Sequence, residues 1–262
     1  MDLNVQGRVY MVAGASRGLG LGVARVLAAE GAALALSSRD EAALQGAAEE
    51  LLEVGAAAVL THRCDVRRAE EIRRWAAAVQ EHFGGIDGLV VNAGGPPPGE
   101  FEAFDDAAWQ QAFELTLLSA VRLVRAALPG LRARGGGAIL MLTSSSVREP
   151  IDGLLLSNVM RAGVHSLAKS LSRSLAGEGI RVNSLIPGLI DTARIDALAT
   201  SQARAGNIPV EERRRQMVAP IPWGRLGTTE EFGRAGAFLL SPAAGYITGT
   251  SLVVDGGAMR SL

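Results

Sequence analysis

Of the 26 basic residues in this 262-residue chain only Lys169 is a lysine, and the other 25 are arginines. A basic nitrogen that burial can readily deprotonate is therefore present at one position, while every guanidinium stays charged. Cysteine is as scarce: Cys64 alone excludes an internal disulfide, and no His/Cys spacing suits a metal site, which fits a reducing compartment. Aromatic residues make up 4%, and the two tyrosines are Tyr10 and Tyr246. The first residues, Met1-Asp2-Leu3-Asn4, lack a basic and then apolar leader. Nor does any later stretch offer the roughly 20 apolar residues that span a bilayer, so a cytoplasmic protein is expected. A formal net charge of -1 without a long Lys/Arg block supplies no field for nucleic acid or anionic lipid.

What the chain does have is 48% hydrophobic residues and 32 glycines, enough for a sizeable core with tight turns, and no repeat or composition shift divides residues 1–262. Apolar β-type runs at 8–13, 32–36, 57–61, 86–91, 138–142, 180–185 and 251–254 alternate with helical patterns such as 42–52, 70–83, 109–128 and 156–175. Leu89-Val90-Val91 and Ile139-Leu140-Met141-Leu142 are continuously apolar, as strands buried on both faces must be. The expected fold is a single α/β domain, a Rossmann-type doubly wound parallel sheet of about seven strands flanked by helices. Residues 193–223 form its most irregular stretch and the expected substrate lid.

Gly14-Ala15-Ser16-Arg17-Gly18-Leu19-Gly20 follows the first strand and opens a helical pattern. Glycines let the backbone turn sharply and approach a pyrophosphate, which the helix amides and dipole stabilise; a turn needed only for tight packing would look similar. Where the second strand ends, Ser37-Ser38-Arg39 stands in place of the acid that would bind the ribose hydroxyls of NAD. Arg39 with Arg17 can clamp a 2′-phosphate instead, favouring NADP(H), unless Asp40 simply pairs with Arg39 at the surface.

The spacing Gly-x-x-x-Gly-x-Gly resembles the short-chain dehydrogenase/reductase family, and further segments similar to that family recur in order. They are Cys64-Asp65-Val66 on the adenine side, Asn92-Ala93-Gly94 at the fourth strand, Ile180-Arg181-Val182-Asn183, and Pro187-Gly188-Leu189-Ile190-Asp191-Thr192 on the nicotinamide side. Pro222 to Gly227, Ile247-Thr248-Gly249 and Val254 to Gly257 close the pattern. The resemblance implies cofactor contacts from Gly14, Ser16, Arg17, Gly18, Leu19, Gly20, Ser38, Arg39, Asp65, Val66, Asn92, Ala93, Gly94, Arg161, Pro187, Gly188, Ile190 and Thr192. It also implies a homotetramer paired through the helices at 109–128 and 156–175.

The same resemblance implies a catalytic tetrad of Asn, Ser, Tyr and Lys. Ser144 falls on the serine; 13 residues on, the tyrosine position holds Ser157, so Tyr-x-x-x-Lys becomes Ser-x-x-x-Arg with Arg161. Seven residues after Trp109, the asparagine position holds Thr116. An aliphatic hydroxyl is a poor general acid beside a phenol of pKa about 10, and a guanidinium does not cycle a proton, but it can stabilise an oxyanion. Ser157 and Arg161, four apart, share a helix face, whereas His165 is rotated about 80° from Ser157 and reads as a packing residue. Ser145, Ser146, Arg148 and Glu149 add polarity in a loop that also reads as a solvated connection.

Three functions stay open: an NADP(H)-dependent carbonyl or alcohol oxidoreductase similar to 3-oxoacyl-carrier-protein reductases, a nucleotide-binding sensor or partner subunit without turnover, and another reaction on the same scaffold. The substrate is a small molecule or acyl thioester. Arg213-Arg214-Arg215 can greet an acidic carrier or merely form a solvated helix face.

Overall fold

Seven parallel strands in the order 3-2-1-4-5-6-7 form one sheet in the computed structural model, which describes residues 2–261. They are β1 (Val9–Ala13), β2 (Ala33–Ser38), β3 (Ala58–Arg63), β4 (Gly88–Val91), β5 (Gly137–Leu142), β6 (Ile180–Pro187) and β7 (Ser251–Val254). Helices α1 (Gly18–Ala29), α2 (Glu41–Val54), α3 (Ala69–Phe83), α4 (Asp106–Ala112), α5 (Ser119–Ala133), α6 (Leu155–Ser174), α7 (Ala193–Ala205), α8 (Val210–Val218) and α9 (Thr229–Leu240) intervene. This is the single α/β domain expected.

The unbroken apolar runs serve two cores, one on each face. Tyr10 and Val12 of β1 pack with Val23, Leu27, Leu44 and Phe232 of α1, α2 and α9. Val9, Met11 and Ala13 pack on the other face with Trp75, Leu123 and Val164 of α3, α5 and α6. Alternation thus exists in direction but not in polarity, as a sheet covered on both sides requires. Each Val, Leu, Ile or Phe so buried contributes about 1.5–3 kcal/mol.

Several boundaries differ from the sequence pattern, and four of the differences bear on the site. Strand β2 runs on to Ser38 because Ser37 and Ser38 stay in register with His62 and Arg63 of β3. Strand β4 begins at Gly88, since the preceding Asp87 is spent in a turn where its carboxylate accepts the Val9 amide at 2.8 Å. The helix expected over 109–128 is broken by a π-helical segment, Phe113–Leu118, in which the Ser119 hydroxyl donates to the Leu115 carbonyl at 2.6 Å. The stretch 193–223, expected to be the most irregular, forms α7 and α8; only Ala199, Ala203 and Met217 of the two helices are buried, so apolar patterning was weak.

Helices α1 and α9 meet backbone to backbone. A Cβ on Gly22 would lie 2.4 Å from the Thr229 carbonyl oxygen, and one on Gly233 would lie 2.2 Å from that of Gly22. No helix among the described residues is long and apolar enough to cross a membrane.

Candidate active site

Strand order reverses between β1 and β4, and a crevice opens at such a switch point beyond the carboxyl ends of the strands. There the Asn92 side-chain amide donates to the carbonyl oxygens of Ala13 (3.2 Å) and Gly14 (3.3 Å), tying the exit of β4 to that of β1. There is no room for a side chain at two positions of this turn: a Cβ on Gly14 would sit 2.8 Å from Asn92 Nδ2, and one on Gly20 would sit 2.5 Å from the Gly14 oxygen. Gly14 and Gly18 also adopt φ of 62° and 63°, which favour glycine.

Helix α1 begins on this turn with its amides uncapped. Arg17 at the N-cap makes no side-chain cap, and the first turn holds no acid, whereas Asp40, Asp105 and Thr228 cap α2, α4 and α9. Free amides at the positive end of a helix suit an anion. Ser16 and Leu19 line the turn, half-buried. From the far side comes the exit of β6, where Thr192 Cγ2 would lie 3.9 Å from a Cβ on Gly18. Pro187 pairs with Val254, the Gly188 amide donates to the Val254 oxygen at 2.9 Å, and buried Ile190 bridges to Gly227, which fixes this exit.

At the end of β2 the Ser38 hydroxyl donates to the Asp40 carbonyl at 2.9 Å, while Ser37 Oγ is buried without a partner. Asp40 is not the partner of Arg39: its carboxylate accepts the Ala43 amide at 3.1 Å as the cap of α2. Arg39 is exposed, and no carboxylate among the described residues lies within ion-pair distance of it. Asp65, followed by half-buried Val66, is held below the usual carboxylate range by Arg67, which grips both of its oxygens, and more weakly by Arg39. The glycine cradle, the uncapped helix, the orphaned Ser37 hydroxyl and the two free arginines fit a dinucleotide phosphate and its adenosine end.

Arg161 is the centre of the second half of the site. From α6 its guanidinium donates to the oxygen of Leu142 at the end of β5 (2.9 Å) and to that of Ala93 after β4 (3.1 Å). Burial, and after it the positive charge of Arg194, pull its pKa down to about 10, so it remains a cation at neutral pH. Two of its five N–H groups are committed and three remain.

Ser144 follows β5 and accepts the Ser146 amide at 3.1 Å, which leaves its O–H free to donate. Ser157 lies one turn before Arg161 on α6 and is buried. Thr116 is 2% exposed in the π segment, its hydroxyl unpaired, and that segment meets α6 where a Cβ on Gly163 would lie 2.8 Å from Leu117 Cδ2. Gly94 is exposed beside this loop.

Neither tyrosine belongs to the site. Tyr10 is buried in β1, where burial raises its pKa, and Tyr246 is fully exposed near β7. His165 lines a separate cavity of about 410 Å³ with Arg148, Lys169, Ser184 and Thr250. Lys169 is not near Arg161's partners; its ammonium donates to the Gly249 carbonyl at 3.0 Å. Glu149 accepts the Arg260 and Ser261 amides, and Ser146 Oγ is buried without a partner. In the 193–223 stretch Arg213 donates to Gln202 and Gln216, Arg214 pairs with Asp196 and Arg215 with Glu212, so the arginine run is engaged locally. Sequence reading missed Arg194 and Gly95, whose contact joins segments far apart in the chain, and Ser37, which the polar Ser37-Ser38 pair could have flagged.

With this fold and switch-point geometry, the chain belongs to the short-chain dehydrogenase/reductase family of oxidoreductases. Residues 14–259 match the family profile described as enoyl-(acyl carrier protein) reductase. A 3-oxoacyl-[acyl-carrier-protein] reductase of Vibrio cholerae is 34% identical over 97% of this chain and 98% of its own. The dehydrogenase/reductase SDR family member 4 of Oryctolagus cuniculus is likewise 34% identical, over 97% and 95%. L-sorbose reductase from Gluconobacter frateurii, solved with NADPH and L-sorbose, superposes with a TM-score of 0.95 at 33% identity over the whole of both chains.

Proposed function

We propose that the protein is an NADP(H)-dependent reductase of a carbonyl group, with an altered tetrad of Ser144, Ser157, Arg161 and Thr116. The observation that carries this reading is the fixed cation: Arg161, fastened to the exits of β4 and β5, stands beside the glycine cradle with three N–H groups uncommitted. Arg39, free of Asp40, and Arg17 support NADP(H) over NAD(H), as does the NADPH bound in the sorbose reductase. Similar relatives act on 3-oxoacyl thioesters and on a ketose, which supports a carbonyl substrate.

When bound, the nicotinamide supplies hydride to the substrate carbon. The chain's own contribution is electrostatic. Ser144 donates its hydroxyl to the substrate oxygen, and Arg161 stabilises the negative charge that grows there. Ser157 keeps a hydroxyl on the same helix face, and the proton comes from water, because no group of suitable pKa lies on that face. The helices α7 and α8 serve as the lid, and the assembly is a homotetramer in the cytoplasm.

The missing acid also supports a second reading, a dinucleotide-binding sensor or partner subunit. Fluorescence titration with NADPH and NADH, then cofactor oxidation with 3-oxoacyl thioesters, ketones and aldehydes, separates the two. Turnover that is lost in Arg161→Ala while NADPH still binds supports the reductase. Tight binding without turnover supports the sensor, and failure to bind either nucleotide overturns both.

A further inference from the structure

Two guanidinium groups flank the loop that leaves β4, and neither has a carboxylate partner among the described residues. Arg161 holds the Ala93 oxygen from one side. Arg194, in the first turn of α7, lies against Gly95 from the other: a Cβ there would fall 2.4 Å from its Nη2 and 2.8 Å from its Cζ. Gly95 has no positive φ, so its backbone does not demand glycine. The room a side chain would take at position 95 is filled by the Arg194 guanidinium.

The acids nearest in sequence do not answer this charge. Asp196 is paired with Arg214, and Asp191 makes no ion pair with Arg194. The other lid arginines at 213–215 and Arg225 beyond them all have local partners. Arg194, through its contact with Gly95, is turned onto the site, and its charge acts on Arg161, a cation that is already poorly solvated. Two like charges held close, one of them desolvated, cost free energy that an anion between them would offset.

Resting on the reductase reading above, we propose that the substrate carries a carboxylate, held by Arg194 together with Arg161, and that this pair selects anionic over neutral carbonyl compounds. The cofactor's phosphates are a less suitable occupant. Their cradle is the turn from Gly14 to Gly20 at α1, whereas Arg161 and Arg194 meet at the loop that leaves β4, at Ala93 and Gly95. Planar guanidinium groups bind carboxylates through paired N–H donors, which a neutral ester or amide cannot match.

Equilibrium binding tests this without turnover. NADPH-loaded protein is titrated by calorimetry with a series of aliphatic and aromatic monocarboxylates and, in parallel, with their primary amides. At least one acid is expected to bind tenfold or more tightly than its amide, with the ratio falling toward one in Arg194→Gln and partly kept in Arg194→Lys. Arg194 is exposed, so neither variant threatens the fold. The NADPH dissociation constant should move by less than threefold. Equal binding of every acid and amide, or no saturable acid binding, overturns the proposal. So does a tenfold loss of NADPH affinity in Arg194→Gln with acid preference unchanged, which would assign the arginine to the cofactor's phosphates. A protein that discriminates acid from amide yet reduces nothing refutes the reductase reading alone.

Discussion

The guanidinium of Arg161 donates to the carbonyl oxygen of Ala93, so a side chain from α6 is fastened to the exit of β4 across the site. A flexible ammonium at this position would be one point charge, whereas this group is a plate held at two carbonyls. On the proposed reading, this fixed cation stands where the family resemblance implies a titrating pair.

Installing a Tyr-x-x-x-Lys pair at these positions should add acid catalysis if the proposed tetrad reading holds. The double variant Ser157→Tyr with Arg161→Lys is expected to raise kcat on a carbonyl substrate about 100-fold, within the range a positioned general acid contributes. Its pH profile should acquire an ionisation that the parent lacks. An unchanged kcat with intact NADPH binding would show that proton delivery does not limit the parent.

Cofactor choice should follow Arg39. With Asp40 occupied as a helix cap, the guanidinium is free for a 2′-phosphate. Arg39→Asp is expected to weaken NADPH by about 10- to 100-fold, the worth of charged hydrogen bonds, and to leave NADH bound as well or better. Dissociation constants from fluorescence quenching decide it, and equal losses for both nucleotides would count against the assignment.

Gly22→Ala should destabilise the whole domain. The added methyl meets a backbone oxygen, which cannot swing aside as a side chain can. A loss of about 1–3 kcal/mol is expected from such overpacking, read from urea unfolding followed by circular dichroism. Gly46→Ala, where a Cβ meets nothing within 4 Å, is the control and should be neutral or stabilising.

Acid should loosen the start of α9. Glu231 has its pKa lowered from 4.5 to about 2, first by the Arg225 hydrogen bonds and then by the Thr228 amide. Because the folded value lies below the unfolded one, the stabilisation is present above pH 4.5 and fades as pH falls through about 2. Glu231→Gln should therefore be less stable than the parent at neutral pH, with the gap closing towards pH 2. Urea midpoints at pH 7, 4 and 3 would show a constant gap if the carboxylate were irrelevant.

The sheet was legible because strands buried on both faces are written as unbroken apolar runs, and the cradle because glycine positions with positive φ recur at fixed spacing. Ser144, Ser157, Arg161 and Thr116 are candidates that register against the family pattern implies. The π segment was not legible, since Phe113 to Leu118 keep the apolar spacing of an ordinary helix. Nor were α7 and α8, which bury so little that period conveys almost nothing. Arg194 escaped notice because its meaning lies in Gly95, on another segment, and whether Asp40 would pair with Arg39 stayed open because capping depends on backbone geometry.

The crossing of α1 and α9 bears on how the protein is made. The helix that opens the glycine turn is seated on a helix, residues 229–240, translated some two hundred residues after it. A nascent chain that has released β1, the glycine turn and α1 still lacks the surface on which α1 rests. The glycine turn is therefore left without its support until α9 has left the ribosome, and a product that stops before residue 229 would lose the seat of its first helix.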